Sequence, residues 1–300
     1  MAWKGVHISR PSRLNTADGQ FIVAQDDGEV RIPLEDLAYV VLDAPHATLT
    51  STLLSACMEA GIVIVSTDRR HTPDGLMLPF LQHHRQAGVA ARQSALSEPF
   101  KKRCWQKIIM QKIENQARHL AMTGRSGEAL MAMKKRVGSG DPNNVEARAA
   151  RHYWGSLFEN FIRDDPADLR NKLLNYGYAV ARAGVARALV AYGLLPNFGV
   201  GHGSVTNAFN LADDLFEPFR PFVDHLAFKL AADRMRTDDL TIADRRAMAG
   251  ILMGDARVAG ETVSLLVATE KAAEGFVRSM DHPTPALLSL PVFVDESSVL

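Results

Sequence analysis

GVGHGSVTNAFNLADDLFEPFRPFVD, residues Gly199–Asp224, sets a histidine in a glycine-spaced loop, then a helix with acids along one side, then a proline. Gly199, Gly201 and Gly203 open backbone conformations around His202 that a Cβ would close. From about Val205 the apolar residues Phe209, Ala212 and Phe216 recur at helical spacing and predict a helix. Asn210, Asp213, Asp214 and Glu217 share another face of it, three and four residues apart. Pro218 cannot donate into the helix and places Glu217 near its end. An imidazole beside such carboxylates can bind a hard divalent cation. On spacing alone, a solvated acidic face and a turn-capping histidine remain equally open.

A second stretch, SGDPNNVEARAARHYWGSLFENFI (Ser139–Ile162), supplies a carboxylate from far upstream. Asp141, Pro142, Asn143 and Asn144 read as a turn, with Asn144 or Asn143 placed to cap a helix. Glu146 falls in its first turn, where the helix dipole favours an anion. Val145, Ala149, Trp154, Leu157, Phe158 and Phe161 form an apolar stripe, with Trp154 expected in the core and Tyr153 toward the site.

These residues resemble a known family. GDPNNVEARAARHYW, then LLNYGYAVARAGVARALVAYGL, then the His202 loop and NLADDLFEPFRP are similar, in that order, to the core of the CRISPR-associated integrase Cas1. The likeness extends to WKGVHIS, IPLEDLAYVVLD, TLTSTLLSACMEAGIVIVSTDRRHTPDGLMLPF and WQKIIMQKIENQA, which look like the type II subgroup. It covers nearly the whole chain. The resemblance implies that Glu146, His202 and Glu217 are the catalytic metal ligands, with a further acid at Asp214 or its neighbour Asp213. It implies spacer acquisition in antiviral defence: a three-prime hydroxyl of a DNA fragment attacks a phosphodiester of the CRISPR repeat. It implies a homodimer, double-stranded DNA as substrate, the small protein Cas2 bridging two dimers, and further type II adaptation proteins as partners.

Two glutamates and a histidine make an oxygen-rich set suited to Mg²⁺ or Mn²⁺. No HExxH helix and no GxxxxGK[ST] loop occur, which argues against a zinc peptidase and against nucleotide hydrolysis on a P-loop. No other cofactor is expected. The same centre with water as attacker would be a nuclease. Two other classes compete: a non-catalytic DNA-binding scaffold with structural acids, and a metallohydrolase of small phosphate esters.

The chain has 300 residues, 47% hydrophobic and 23% charged, which describes a globular protein with a full core. Its 34 basic and 34 acidic residues cancel, so the distribution of charge matters more than the sum. Arg85, Arg92, Lys101, Lys102, Arg103, Lys107, Lys112 and Arg118, continued by Lys134, Lys135 and Arg136, form a basic run suited to phosphate. Cys57 and Cys104 lack metal spacing and read as buried thiols of a reducing compartment. The start carries no apolar signal core, and the most apolar helix, about Tyr176–Leu195, is interrupted by Arg182 and Arg187. A cytoplasmic protein without a membrane span is expected.

The first part reads as strand. Val6 and Ile8 alternate with polar residues, Phe21–Ala24 and Val30–Ile32 flank the hairpin signal Asp27-Gly28, and Tyr39–Leu42 looks buried. A short helix Thr50–Glu59 stops at Gly61, a strand Ile62–Val65 follows, and Asp74-Gly75 reads as a turn. From about Gln82 to Val277 the period is helical, and the tail after Pro283 reads as irregular. The expectation is an α+β protein: a strand-rich dimerisation domain over 1–83 and a helical catalytic domain over 84–300. His83 and His84 read as a polar linker, Gly177 and Gly184 as close helix contacts, and Asn175 as a possible site contact. Arg220 is expected to pair with Glu217.

Overall fold

The computed structural model describes residues 2–80 and 82–294. Short apolar runs broken by Asp-Gly pairs fold the first part into strands. These are β1 (Lys4–Ile8), β2 (Ser12–Ala17), β3 (Gln20–Gln25), β4 (Gly28–Pro33), β5 (Leu37–Leu42), β6 (Ala47–Leu49), β7 (Val63–Thr67) and β8 (Pro73–Met77). Helix α1 (Ser51–Glu59) precedes β7, capped by the Thr50 side chain and released through Gly61 at φ 71°. The strands make two four-stranded sheets, ordered β4-β3-β2-β6 and β1-β5-β7-β8. In the second, β1, β5 and β7 run parallel and β8 returns antiparallel.

That second sheet is covered on both faces. Val40 and Ile64 point into a core with Leu14, Phe21, Leu53 and Cys57. Tyr39, Val41, Val63 and Val65 pack against the helices instead. A sheet buried on both sides needs continuous apolar strands, and LAYVVL and VIV supply them. Tyr39 also donates its hydroxyl to the Ala249 carbonyl at 2.7 Å, tying sheet to helices. Gly5 is required there, because a Cβ would lie 2.1 Å from the Tyr39 ring.

The helices are α2 (Gln86–Ser94), α3 (Glu98–Met122), α4 (Glu128–Lys134), α5 (Val145–Leu157), α6 (Leu169–Ala191), α7 (Asn210–Phe216), α8 (Arg220–Ala231), α9 (Ile242–Ala249) and α10 (Leu265–Asp281). The largely buried α6 forms their axis, packed by α7, α8, α9 and α10. Gly177 allows α8 its close approach: a Cβ there would stand 2.5 Å from Val223 Cγ1. A Cβ on Gly184 would stand 2.8 Å from Leu252. The architecture is α+β, as the sequence implies.

Four local expectations need correction. Asp74-Gly75 is not a turn but lies within β8; the reversal is upstream, with His71 at φ 61°. The helical period is interrupted by a hairpin, β9 (Asp255–Val258) and β10 (Glu261–Ser264), turning through Ala259 (φ 52°) and Gly260 (φ 89°). The helix expected from Val205 starts at Asn210, because Asn210 Nδ2 instead donates to the carbonyls of Asn197, Ser204 and Asn207. Pro218 does not end the helical path either. It sits in a 3-10 turn, Glu217–Phe219, that leads straight into α8. Pro218 and Pro221 both occupy first-turn positions, where a missing N–H costs nothing.

Before its end the chain forms a 3-10 turn at Pro285–Leu287 and an antiparallel bridge from Val292 to Arg257. The last six residues of the expected irregular tail lie outside the described residues. No helix among the described residues is long and apolar enough to cross a membrane.

Candidate active site

Glu146 is positioned by the turn before α5. Asn144, left-handed at φ 47°, accepts from Ala147 N at 3.3 Å. Asp141 does more than expected: its carboxylate accepts from both Val145 N and Glu146 N at 2.9 Å. Four first-turn N–H groups lack intrahelical partners, and this double cap satisfies three of them while fixing the start of α5. The buried stripe of α5 is Val145, Ala149, Tyr153 and Leu157. Tyr153 therefore replaces Trp154 in the core, and Trp154 is only half-buried.

Glu217, almost fully buried, sits in the 3-10 turn between α7 and α8. One oxygen, Oε1, accepts from Arg220 Nε at 2.9 Å, the expected pairing. The other, Oε2, lies 2.5 Å from Lys112 Nζ of α3. That contact is a short, buried ion pair. The same Lys112 Nζ donates to Glu146 Oε1 at 2.6 Å. Two carboxylates from distant parts of the chain thus meet at one ammonium.

Burial opposes the charge of each group here. For Glu217 burial would raise the pKa, but Arg220 and Lys112 outweigh it and hold the carboxyl down at about 2. For Lys112 burial would lower it, but Glu217 and then Glu146 overcome that and raise it. Both groups are charged at neutral pH.

His202 is held by Asp214, whose side chain is fully enclosed. Asp214 accepts from Val200 N (2.5 Å), Gly201 N (3.0 Å) and His202 N (2.9 Å), and lies 2.7 Å from His202 Nδ1. An ionised carboxylate can only accept, so Nδ1 carries the proton and Nε2 is the uncommitted nitrogen. The hydrogen bond to Asp214 raises the His202 pKa; burial works against it, and the charges of Asp214, Glu217 and Asp213 add to the rise. Glu217 and His202 therefore share one electrostatic neighbourhood. Trp105 of α3 meets the imidazole edge-on, with ring centroids 5.4 Å apart.

Asp213 turns away, to Asn207 Nδ2 at 2.7 Å and Arg182 at 3.5 Å. Of the four polar residues expected to share one binding face, only Glu217 faces the Lys112 ammonium. Asn210 and Asp214 build the loop, and Asp213 lies toward the rim. Asn175 is engaged by Arg163, accepting at 2.8 Å.

Behind Glu217 a buried polar chain crosses the core. Arg220 stacks over Tyr178, 4.8 Å from its centroid, and Tyr178 donates to Asp224 Oδ1. Tyr153 donates to Asp224 Oδ2 at 2.9 Å and meets His119 Nδ1 at 2.6 Å. Tyr153 thus points into this chain rather than into the site.

The residues fit a hard cation in one respect and fall short in another. Two carboxylates from separate elements already enclose one positive charge, at 2.6 and 2.5 Å. Yet among the described residues no three His, Cys, Asp or Glu side chains are gathered as a metal site.

The basic run also divides. Lys112 belongs to the centre, not to the surface. Lys107 donates to the Pro285 and Ala286 carbonyls at 2.8 and 2.9 Å, Lys134 pairs with Glu114, and Lys101 with Glu98 at 2.9 Å. Lys102, Arg103, Lys135 and Arg136 remain exposed. The residues that the sequence did not single out are Trp105, Asp141 as cap, and Lys112 as counter-ion. Lys101, Trp105 and Lys112 recur at helical intervals along α3, the one available signal.

Comparison with known proteins bears on this geometry. The profile of the family described as CRISPR associated protein Cas1 matches residues 6–257. A "CRISPR-associated endonuclease Cas1" from Neisseria meningitidis is 36% identical over 294 residues, covering 97% of this chain and 96% of the relative. Among solved structures, a casposase bound to integration product superposes with TM-score 0.75 at 16% identity, over 99% of this chain and 97% of that one. A Cas6-RT-Cas1–Cas2 complex matches with TM-score 0.73 at 20% identity, over 95% of this chain and 36% of that longer one. At these identities the two structures speak to the fold.

Proposed function

Because the chain belongs to the Cas1 family and is an endonuclease/integrase of CRISPR spacer acquisition, we propose that Glu146, His202 and Glu217 form its catalytic centre and hold Mg²⁺ or Mn²⁺. The observation that carries this reading is the meeting of Glu146 and Glu217 on one cationic nitrogen, at 2.6 and 2.5 Å. A divalent cation held there supplies Lewis-acid stabilisation of the charge that develops on a phosphodiester. Arg220 and the turn at Pro218 hold Glu217 in place. Asp214 fixes the His202 ring and tautomer, so that the unprotonated Nε2 is left to ligate the cation. The exposed Lys102 and Arg103, on the helix that carries Lys112, place duplex phosphates near the centre.

In the integration step a three-prime hydroxyl oxygen bonds to the target phosphorus, and the phosphorus–oxygen bond to the departing strand breaks. The hydroxyl proton leaves and the departing oxygen takes one up, so no energy source is needed. With water as attacker the same centre cleaves DNA.

We further place the chain in the type II subgroup, on the motifs that it shares along its length. We divide it at 83/84 into a strand-rich unit that makes the homodimer and a helical catalytic unit, with Cas2 bridging two dimers. The experiment is Mn²⁺-dependent strand transfer and cleavage of a branched DNA. Glu146→Ala, His202→Ala and Glu217→Ala should each abolish both reactions with the fold retained by circular dichroism. Undiminished strand transfer in any of these variants would remove that residue from the centre.

A further inference from the structure

Lys112 stands where a cation is called for, and that place has a physical consequence. Its ammonium is almost enclosed, with side-chain exposure of 9%, and lies at ion-pair distance from glutamates on two separate elements. Without it, Glu217 would keep Arg220 on Oε1, but the buried Oε2 would lose the ammonium that faces it at 2.5 Å. Like charges at such distances in a low-dielectric interior repel strongly, so an ammonium and a divalent cation cannot share the two carboxylates. The four-carbon lysine stem lets the ammonium leave without displacement of α3.

We propose that Lys112 is a positioning residue: its ammonium holds the Glu146–Glu217 pair closed in the metal-free enzyme and must be expelled before the divalent cation binds. The centre therefore carries its own competitor for metal. Lys112 keeps two acids together that would otherwise drive apart α5 and the Glu217 turn, and metal affinity is lowered in return. This rests on Glu146 and Glu217 being metal ligands, as proposed above.

The test is Mn²⁺ binding to the full chain, read from the loss of the free Mn²⁺ signal in electron paramagnetic resonance, for wild type, Lys112→Met, Lys112→Arg, Glu146→Gln and Glu217→Gln. Lys112→Met keeps the stem and removes the charge. It should tighten Mn²⁺ binding by roughly 10- to 100-fold, the usual span for coupled sites, and melt at a lower temperature than wild type in EDTA. Lys112→Arg should stay near the wild-type affinity. A Lys112→Met protein that unfolds in EDTA and is restored by Mn²⁺ meets the same expectation. Unchanged or weaker Mn²⁺ binding, or unfolding that Mn²⁺ does not reverse, overturns the proposal, because a merely structural lysine gives that result. The glutamine variants separate the two ideas. If they bind Mn²⁺ like wild type, the ligand assignment fails. If they lose Mn²⁺ while Lys112→Met gains nothing, only the role of Lys112 fails.

Discussion

Replacing Asp214 by asparagine should cost more than its conservative chemistry implies. The carboxylate accepts four hydrogen bonds, two on each oxygen: Val200 N and Gly201 N on Oδ2, His202 N and Nδ1 on Oδ1. Asparagine keeps one oxygen and turns an amide N–H₂ toward the donors of the other: facing the loop it loses the Val200 and Gly201 bonds, and facing His202 it loses the His202 N bond and keeps the ring only if the ring proton moves to Nε2. Hydrogen bonds to a charged group contribute about 1.5–3 kcal/mol each. Gly201 and His202 are exposed enough for water to replace part of the loss, which leaves an expected cost of about 3 kcal/mol. For a chain of this size that is a fall in Tm of roughly 5–10 °C. With the His202 ring no longer fixed, strand transfer should slow by about 100-fold, the scale of an ångström-sized misplacement. Asp213→Asn is the control: its contacts lie nearer the rim and should cost no more than about 1 kcal/mol. Thermal melting and single-turnover integration with both variants decide the matter. If Asp214→Asn keeps the wild-type Tm and rate, or the two variants lose equally, the loop clamp is wrongly assigned.

Gly201→Ala should slow catalysis more than it lowers Tm. Its Cβ would stand 2.2 Å from the Trp105 ring and push the His202 loop outward; full activity in this variant would show that the Trp105 contact is dispensable. Replacing Lys101, Lys102 and Arg103 by alanine should weaken DNA binding across sequences and lower the log–log salt slope by about two rather than three, because Lys101 is tied to Glu98. An unchanged slope would place the DNA path elsewhere. The buried chain behind Glu217 predicts two opposed pH dependences. Burial pushes the Asp224 carboxyl up from 3.8 to about 7, against the pull of the Tyr178 and Tyr153 hydroxyls, so the folded state holds the extra proton and stability falls as pH rises through that window. Burial, with the nearby His225 and Arg125, drives His119 down from 6.5 to about 3, so the unfolded state holds the extra proton and stability falls as pH drops. Denaturant titrations across about pH 4–7 should show Asp224→Asn with a steeper acid loss and His119→Gln with a flatter one, each by up to about 1.4 kcal/mol per pH unit. Identical slopes in all three proteins would show that neither group changes protonation on folding.

Much of this was legible in the chain because it is local. A cap and its helix, as in Asn144 and α5, are adjacent in sequence, and so is the turn at Gly61 after α1. The doubly buried strands β5 and β7 show as apolar runs without alternation. The hairpin β9–β10 escapes a periodicity reading because its strands are four residues each and flanked by helices, and its turn at Ala259-Gly260 lacks the Asn-Gly or Asp-Gly pair that marks such turns. The start of α7 was misplaced because Asn210 bonds loop carbonyls, a competition that periodicity does not see. The role of Lys112 was not readable at all: a lysine on a basic helix becomes a buried counter-ion only when α5 and the Glu217 turn are brought against α3. For the adjacent acids Asp213 and Asp214, side-chain direction depends on the loop before the helix, and neighbouring positions give no spacing by which to choose.

The central claim is that Glu146, His202 and Glu217 hold the catalytic cation. The most direct measurement is a crystal of the full chain soaked in Mn²⁺, with data collected at the manganese absorption edge. The account predicts an anomalous peak at ligand distance, roughly 2.0–2.6 Å, from a carboxylate oxygen of Glu146, a carboxylate oxygen of Glu217 and His202 Nε2. A manganese peak elsewhere, with these three side chains unliganded, would contradict it.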